Sequence, residues 1–385
     1  MNRYIAYLNN YDIRPCTAQY LWWFYYLMDH MPETYFLINR DYLNVDKNRW
    51  EYAKYQTAPY KYSDPSKLTP KNFHILNKFE NQPELASVEV PSHVLNAATH
   101  KPIPSLVNEI VEVLNKPENK DITAGICWVN NASFDEACSK VGIPVIHNES
   151  GALRTPRFID TCYFDFSGVN GNTEFIKRFK LFKKVANKVK IYSKEELLEI
   201  ITQPYYRECF KELCSKAPEY ECGVALQVDV DTNVLAFNRD VTESDVLNIA
   251  AKKYNKSLLV RNHPLSSLGY TKPASLGLGQ IDESENSIEF ISKCKRIYTL
   301  NSSVAFEALL MGRSVRIFGD NPFRDLQYMG EDELLLALNF AVFSYLMPTS
   351  RLYNEKYYSM RIQCKEEEYL YNEGQRYWLD EVVQR

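Results

Sequence analysis

The sequence predicts an α/β fold with two facing Rossmann-like domains, and three observations lead to this prediction. Short apolar runs that suit buried strands alternate with helical segments in both halves of the chain, as in parallel sheets. The alternation restarts after residues 204–221, a polar stretch that contains two prolines. A chain of 385 residues is also long for one domain. We therefore place an N-terminal domain at 1–215, a C-terminal domain at 216–345, and at 346–385 a helical tail that packs back on the N-terminal domain.

The elements of the N-terminal domain follow from the spacing of its apolar residues. We assign the aromatic helix at 18–29 to the core rather than to a cofactor site, because aromatic side chains mainly supply buried area. Residues 41–86 are polar and rich in tyrosine, and no role is assigned to them. The predicted elements are helices at 18–29, 105–115, 132–140, 174–187 and 193–203, and strands at 35–39, 87–90, 125–129 and 143–147.

The C-terminal domain repeats the same pattern. Thr242 precedes a helical segment and is a typical N-cap residue. Pro348 interrupts the helical pattern that begins at Glu331. The predicted elements are strands at 224–228, 257–260, 296–299 and 314–319, and helices at 243–254, 287–294 and 301–310.

Composition and charge limit the functional classes. The net charge of −4 gives no reason to expect a nucleic-acid partner. The nine cysteines form no C-x-x-C pair and the six histidines lie far apart, so we expect reduced thiols and no Cys/His metal cluster. The early apolar run at 20–28 is far shorter than the ~20 residues that span a bilayer. We predict a cytoplasmic protein, with peripheral association at the inner membrane as an open alternative.

The stretch Gly223–Asn233 begins as an apolar strand and ends in polar and acidic residues. Gln227, Asp229 and Asp231 come at its end. In open α/β sheets, ligands bind outside the carboxyl ends of the strands. Side chains two residues apart on a strand point the same way, so the two aspartates suit a divalent-metal site. The alternative is a single carboxylate that acts as nucleophile or base, with the other acid in a structural role.

The strand at 296–299 leads into Asn301, Ser302 and Ser303, which open a predicted helix. Free backbone N–H groups at a helix start favour an anion, and two hydroxyls add donors, so this is a candidate phosphate site. The alternative is an ordinary serine N-cap. Glu307 lies one turn further along in an apolar stripe and needs a partner there. A nucleotide ribose and a core salt bridge are the two alternatives for that partner.

Arg261 and His263 follow the strand at 257–260 within the sequence Arg-Asn-His-Pro. An arginine and a histidine at the carboxyl end of a strand can bind a phosphate or carboxylate group. Pro264 restricts the backbone of this loop. The alternative is that Arg261 and His263 are surface residues without a ligand.

Glu149 follows the strand at 143–147 of the N-terminal domain. We expect its carboxyl group to face the cleft, where it would serve as a general acid or base. The alternative is a turn in which Glu149 pairs with Arg154. A turn-rich loop at 164–172 comes next.

The motifs occur in the order found in a known enzyme family. Together they resemble the bacterial retaining β-Kdo transferases of capsule and lipopolysaccharide biosynthesis, where Kdo is keto-deoxyoctulosonate. The resemblance covers roughly residues 120–345 and implies a GT-B fold, with the acceptor side in the N-terminal domain and the CMP-sugar in the C-terminal domain. The stretches that carry it are Gln227–Asn233, Arg261–Pro264, Asn301–Gly312, the Glu-x-Gly-x-Leu-Arg element at 149–154 and the loop Gly168–Asn172.

The resemblance implies a catalytic pair of carboxylates. Asp231 matches the family's candidate nucleophile, so a covalent Kdo–Asp231 adduct would form and an acceptor hydroxyl would then open it, with retention of configuration. Glu149 would be the acid/base partner. Asp229, which stands where a glutamate is common, is a supporting residue, and so are Arg154 and Asn170.

The resemblance also implies the residues that bind the donor, CMP-Kdo. No cofactor and no metal are expected for the transfer step, because the leaving group carries one phosphate that protein donors can neutralise. Arg261 stands where the family more often has a lysine, and it still supplies a cation. The predicted donor contacts are Gln227, Arg261, His263, Asn301, Ser302, Ser303 and Glu307.

Two other functions remain as alternatives. One keeps the fold and changes the donor, giving a sialyltransferase-like enzyme with another CMP-sugar or a transferase with another nucleotide sugar. The other is a non-catalytic GT-B-like module that binds glycan or scaffolds a larger synthase, and the presence of both Asp231 and Glu149 argues against it. The expected partners are a CMP-sugar donor and an oligosaccharide or lipid-linked glycan acceptor, with further domains of a larger glycan synthase as an alternative partner.

Overall fold

A computed structural model describes residues 3–8, 21–43, 64–76, 99–228, 232–263, 278–351 and 354–383. The predicted strand at 87–90, Asp229, Asp231 and Pro264 lie outside the described residues. Within those ranges the protein has a mixed α/β fold with two sheets of mostly parallel strands, so the predicted α/β class is confirmed. None of the helices in these ranges combines the length and the apolar character required to cross a bilayer.

The strands and helices are numbered in chain order. The strands are β1 (Arg3–Tyr7), β2 (Tyr35–Ile38), β3 (Phe73–Ile75), β4 (Ile122–Trp128), β5 (Val145–Ser150), β6 (Thr161–Asp165), β7 (Cys222–Ala225), β8 (Leu258–Arg261), β9 (Gln280–Ile281), β10 (Arg296–Thr299), β11 (Ser314–Ile317) and β12 (Leu346–Pro348). The helices are α1 (Leu21–His30), α2 (Pro104–Leu114), α3 (Ala132–Val141), α4 (Phe175–Phe182), α5 (Lys194–Ile201), α6 (Arg207–Ser215), α7 (Thr232–Ala236), α8 (Glu243–Tyr254), α9 (Ser287–Ser292), α10 (Val304–Leu310), α11 (Glu331–Phe340), α12 (Glu355–Gln363) and α13 (Glu367–Val383).

The chain divides into two compact units. The first consists of Met1–Glu149, Phe164–Val169 and Ser350–Cys364, and the second consists of Ser150–Tyr163, Asn170–Thr349 and Lys365–Arg385. Both units are therefore assembled from separate stretches of the chain. The domain bounds expected from the sequence, which follow one another in consecutive blocks, stay a prediction.

The first sheet has seven strands in the order β12-β6-β5-β4-β1-β2-β3. The strands from β5 to β3 in this order pair in parallel, and β12 pairs with β6 in the antiparallel direction. Apolar residues of α2 and α3 pack on the sheet and form the core of the first unit with Ile5 and Leu37. Gly125 in β4 allows a close approach here, because a Cβ at this position would lie 2.7 Å from the ring of Phe134.

The second sheet has five parallel strands in the order β11-β10-β7-β8-β9. From the central β7 the chain continues to β8 on one side, and β10 later pairs with β7 on the other side. This reversal of strand order is a topological switch point, where the carboxyl ends of adjacent strands leave a crevice that binds ligands in open α/β sheets. The motif-bearing strands β8, β7 and β10 are thus direct neighbours.

Local sequence signals explain why several helices begin where they do. The Thr242 side chain accepts a hydrogen bond from the backbone N–H of Asp245, and the Asp245 carboxylate accepts one from the N–H of Thr242. This reciprocal capping box satisfies two backbone donors that have no partner inside the helix. The helix α8 therefore has the same bounds, Glu243–Tyr254, as the sequence predicts.

Other elements differ from the prediction. A helix, α6, lies inside the polar stretch 204–221, where none is predicted. The helix α10 begins at Val304 and not at Asn301, because Asn301 is held by side-chain contacts described below. The short strands β1, β3, β6 and β12 are also absent from the prediction, since their stability comes from pairing with strands distant in sequence.

The C-terminal helix α13 packs within the second unit. The Trp378 indole N–H donates to the Val342 carbonyl at 2.7 Å. Gly374 is required for this packing, because a Cβ at that position would collide with the backbone of Phe343. At the start of the helix, Glu367 forms a buried ion pair with Arg178 of α4. The protein thus has a C-terminal helix that contacts Arg178 within the second unit, while the predicted packing of the tail on an N-terminal domain stays a prediction.

Candidate active site

Two buried amides join the carboxyl ends of β7 and β10. The Gln227 Nε2 donates to Asn301 Oδ1 at 3.0 Å, and the backbone N–H of Asn301 donates to Gln227 Oε1 at 2.9 Å. Gln227 is 8% exposed and Asn301 is fully buried. The Thr299 hydroxyl donates to the Ala225 carbonyl at 3.1 Å and lies 3.4 Å from Gln227 Oε1. The two strand ends are therefore held at a fixed spacing by side chains as well as by the sheet.

The Asn301 amide also anchors the backbone that follows Asp231. Its Nδ2 donates to the Asn233 carbonyl at 2.8 Å and lies 3.4 Å from the Phe237 carbonyl. On the other side, the backbone N–H of Gln227 donates to the Glu243 carboxylate at 2.6 Å. Both flanks of the stretch that carries Asp229 and Asp231 are thus tied to buried polar groups, although these two aspartates lie outside the described residues.

Ser302 and Ser303 lie at the start of α10 and are both part-exposed. Ser302 Oγ accepts a hydrogen bond from the backbone N–H of Val304 at 3.3 Å, as in a serine turn. Ser303 occupies the N-cap position, and its side chain makes no capping hydrogen bond. The alternative of an ordinary serine N-cap therefore does not describe Ser303. Its role as a phosphate contact stays a prediction.

Glu307, on α10, has a carboxyl group that is kept from water. Its Oε2 is buried and has no hydrogen-bond partner among the described residues. Burial raises the pKa of Glu307 to about 7, because the charged form loses its hydration. A hydrogen bond from Ser287 and the positive charges of three arginines oppose this rise. These arginines, all in the second unit, are Arg154, Arg157 and Arg261.

Arg261 ends β8 and is held by an acidic partner. Its Nη1 donates to Asp282 Oδ2 at 2.6 Å and to the Ser284 carbonyl at 2.8 Å. The Asp282 side chain is fully buried, and Lys293 Nζ lies 3.6 Å from its second oxygen. The ion pair fixes the guanidinium of Arg261 at the carboxyl edge of the sheet. His263, two residues further along, is half-buried.

The loop after β6 approaches the same edge of the second sheet through Gly171. A Cβ at this glycine would collide with the ring of Phe237 and would lie 2.9 Å from Asp320 Cβ. Asn170 adopts a left-handed backbone conformation with φ 62° and donates its backbone N–H to the Tyr163 hydroxyl at 3.1 Å. The predicted supporting residue Asn170 thus shapes the loop, while Gly171 makes the contact beside Phe237.

Glu149 lies in the first unit, in β5, and is half-buried. Two residues earlier, His147 Nε2 lies 2.8 Å from Asp135 Oδ1 of α3. Burial lowers the pKa of His147 to about 4 and raises that of Asp135 to about 7. The histidine is therefore neutral at pH 7. Arg154, in the second unit, donates its Nε to the Gly151 carbonyl at 3.3 Å.

The structure adds residues that the motif analysis did not select. Asn321 Nδ2 donates to the Asn301 carbonyl at 2.8 Å, and Asp282 holds Arg261. Each comes just after a strand of the second sheet, Asn321 after β11 and Asp282 after β9. A polar side chain at the carboxyl end of a strand is the sequence signal that could have identified them. This signal is weak when the strand is as short as β9.

Comparisons with known proteins agree with a glycosyltransferase. Residues 6–174 match the model of the Glycosyltransferase 99 family N-terminal domain. This match begins well before residue 115, so the first part of the chain contributes more to the family similarity than its motifs indicate. No protein with a curated description matches the chain.

Three of the solved structures that are similar to this chain show low identity and low TM-scores. The Thermosulfurimonas dismutans KpsC β-Kdo 2,7 transferase is 16% identical, with a TM-score of 0.37, over 63% of this chain and 82% of that one. The β-Kdo 2,4 transferase of the same KpsC is 18% identical, with a TM-score of 0.38, over 58% and 81%. The UDP-GlcNAc 2-epimerase from Methanocaldococcus jannaschii is 15% identical, with a TM-score of 0.29, over 87% and 90%. These similarities assign no substrate and no residue role to this chain. The resemblance to a glycosyltransferase family seen in the sequence is confirmed by the similarity of residues 6–174 to the N-terminal domain of glycosyltransferase family 99.

Proposed function

We propose that the protein is a retaining glycosyltransferase that transfers β-Kdo from CMP-β-Kdo to a sugar acceptor of a capsule or O-antigen glycan. One observation carries this proposal. The three motif-bearing strands β8, β7 and β10 are adjacent in one parallel sheet, so their carboxyl ends bring Arg261, Gln227 and Asn301 to one edge. Ligands of open α/β sheets bind at such an edge.

The donor carries a phosphate and a carboxylate, and the described edge offers groups of matching charge. Arg261 is held there as a cation, and Ser302 and Ser303 provide part-exposed hydroxyls at the start of α10. His263 completes the proposed phosphate contacts. Glu307, whose pKa of about 7 leaves it partly protonated near neutral pH, serves the nucleotide as a donor as well as an acceptor of hydrogen bonds.

The reaction proceeds in two displacements. An Asp231 carboxylate oxygen bonds to the anomeric carbon, and the bond from that carbon to the CMP phosphate breaks, so that CMP leaves with the electron pair. The acceptor hydroxyl oxygen then attacks the same carbon, the bond to Asp231 breaks, and Glu149 takes the hydroxyl proton. Two inversions give net retention.

The roles of the remaining polar groups follow from their contacts. Gln227 and Asn301 hold each other and the backbone on both sides of the Asp231 stretch, so we infer that they position the nucleophile. Asp229 is the supporting carboxylate of the same stretch of sequence. The transfer step uses protein donors and no metal ion. The acceptor is an oligosaccharide or a lipid-linked glycan, and the protein acts in the cytoplasm or at the inner face of the membrane.

A donor screen tests this function. The full chain is incubated with CMP-Kdo, CMP-sialic acid, UDP-sugars and GDP-sugars in the presence of a Kdo-terminated acceptor, and nucleotide release and product are measured. Among these donors, we expect only CMP-Kdo to give CMP release and a β-linked product. Turnover with CMP-sialic acid or a nucleoside diphosphate sugar instead would replace the donor assignment, and an α-linked product would exclude retention. No turnover and no binding of any donor would favour the non-catalytic module.

A further inference from the structure

A groove on the second unit runs along one face of β10 and β11, and cations line it. Its volume is about 620 Å³. Four of its lining residues are positively charged, namely Lys253, Arg296, Arg316 and Arg324. No carboxylate occurs among the described residues that line it, although the chain as a whole carries a net charge of −4. We call this feature the basic groove.

The strand register brings these side chains to one face. Tyr298 of β10 pairs with Arg316 of β11 in parallel register, and Arg296 lies two residues before Tyr298. Side chains two residues apart on a strand project to the same side of the sheet. Phe318, two residues after Arg316, extends the same row. The groove thus alternates positive charges with aromatic rings along its floor.

Aromatic rings hold two of these cations in place without neutralising them. The Arg316 guanidinium lies 4.8 Å from the ring centroid of Phe318 and 5.8 Å from that of Tyr298. The Arg296 guanidinium lies 5.4 Å from the ring centroid of Tyr254. Stacking of this kind orients an arginine and leaves its N–H groups able to bind an anion.

The balance of ion pairs in the groove favours a negatively charged ligand. Among the described residues, neither Arg296 nor Arg316 forms an ion pair, and the buried Nε of Arg296 has no hydrogen-bond partner. Arg324 is the exception, since it lies 3.6 Å from Asp320. Two cations without a carboxylate partner on one concave face are a binding feature for carboxylate or phosphate oxygens.

An exposed aromatic ring in the groove indicates that the ligand has a flat apolar face. Tyr328 lines the groove and is 72% exposed, which is unusual for a large aromatic ring. Aromatic side chains together with a few placed polar groups are typical of small-molecule sites. A sugar unit with a carboxylate group offers both a ring face for Tyr328 and an anion for Arg316.

We propose that the basic groove binds an anionic oligosaccharide, a glycan whose sugar units carry carboxylate groups. The choice of a glycan among anionic ligands rests on the proposed glycosyltransferase function. The net charge of −4 opposes a nucleic acid or an acidic membrane, since both need a broadly positive surface. The groove therefore holds a stretch of acceptor or product chain beside the second sheet.

Binding of tetrasialic acid to the full chain, without any donor, tests the proposal. The neutral probe is the same tetrasaccharide after reduction of its carboxyl groups, and calorimetry gives the affinities. We expect the charged form to bind and the neutral form to bind at least about tenfold more weakly. Loss of one hydrogen bond to a charged group raises the dissociation constant by about this factor. Binding of the charged form should weaken as salt is raised.

Variants locate the binding site. Arg316→Gln and Tyr328→Ala should each lower the affinity about tenfold. Lys252→Gln removes one exposed positive charge beside Lys253 on α8, at a residue that does not line the groove, and should leave the affinity unchanged. Circular dichroism and thermal unfolding confirm that each variant is folded.

Several outcomes would overturn the proposal. These are no binding of tetrasialic acid, equal binding of the neutral form, or equal weakening by Lys252→Gln and Arg316→Gln. Binding of a single-stranded oligonucleotide or of phosphatidylglycerol vesicles in preference to the tetrasaccharide would replace the glycan with another class of partner. Because no donor is present, failure here leaves the donor screen intact, and failure of the donor screen leaves this binding result intact.

Discussion

The side-chain amides of Gln227 and Asn301 are 74 positions apart in sequence and bond each other at the carboxyl ends of two adjacent strands. Gln227 uses both its amide nitrogen and its amide oxygen in this contact. Asn301 adds a hydrogen bond from its own nitrogen to the Asn233 carbonyl at 2.8 Å. The pair therefore connects β7, β10 and the start of α7, and it borders the stretch that carries the proposed nucleophile.

We predict that Asn301→Ala lowers the free energy of unfolding by about 1–3 kcal/mol, because it removes the hydrogen-bond partner of the buried Gln227 Nε2 and one of the hydrogen bonds to the Asn233 carbonyl. Urea unfolding followed by circular dichroism measures this. The matched control is Ser303→Ala, whose side chain makes no capping bond and should cost less than about 0.5 kcal/mol. Equal losses in the two variants would contradict the anchoring role of Asn301.

Glu307 should make stability fall as the pH rises. Its pKa in the folded protein is about 7, above the ordinary value near 4.5, so between these values the folded state keeps a proton that the unfolded state has lost. Stability is then lost as the pH rises through this window, at about 1.4 kcal/mol per unit, and the contribution is constant above and below it. Glu307→Gln should flatten the curve of unfolding free energy against pH from 4.5 to 7. Parallel curves for the two proteins would show that Glu307 does not titrate with a raised pKa.

Asp231→Ala should reduce the rate of transfer by at least ~10³-fold, because it removes the group that forms the covalent intermediate. Asp229→Asn is the matched control and should lose less activity, since its role is supporting. Initial rates with CMP-Kdo and acceptor measure both effects. Intact-mass analysis of the native chain with CMP-Kdo alone should detect a Kdo adduct that Asp231→Ala lacks. Near-normal turnover in the alanine variant would exclude Asp231 as the nucleophile.

Chelation of divalent metals should leave the transfer rate unchanged. The proposed site neutralises the phosphate with Arg261, His263 and the hydroxyls of Ser302 and Ser303, so no metal is required for departure of CMP. The measurement is the initial rate after treatment with EDTA, with added Mg²⁺ as the comparison. A rate abolished by EDTA and restored by Mg²⁺ would return Asp229 and Asp231 to the role of metal ligands.

Breaking the buried ion pair between Arg178 and Glu367 should destabilise the protein strongly. Arg178 donates to both oxygens of Glu367, at 2.7 and 3.0 Å, and both side chains are nearly inaccessible to water. Glu367→Gln leaves the buried arginine with only the more distant carboxylate of Glu174, which lies 3.9 Å from Arg178 Nη1, at a cost of about 3 kcal/mol. The adjacent Glu368→Gln is the control, because its partner Lys188 is exposed and such pairs contribute less than about 1 kcal/mol. Thermal and urea unfolding compare the two.

Much of the second sheet could be predicted because its signals are local. Thr242 and Asp245 lie three residues apart and cap α8 reciprocally, so the sequence shows the start of that helix directly. The strand β10 also has its predicted bounds, since Ile297 and the residues around it form a compact apolar run. By contrast, β9 has two residues, Gln280 and Ile281, and its existence depends on pairing with β8. Nothing in so short a stretch distinguishes it from a loop.

The sequence by itself determined the fold class and the motifs of the candidate site, because strand and helix periodicity and the polar residues at strand ends are properties of short segments. Only the tertiary structure decided what those polar residues contact. It joined Gln227 to Asn301, paired Arg261 with the buried Asp282, and isolated the Glu307 carboxyl from water. It also aligned Arg296 and Arg316 on one face of the sheet. The physical reason is that hydrogen bonds, ion pairs and burial depend on groups that are distant in the chain, and packing alone brings them together.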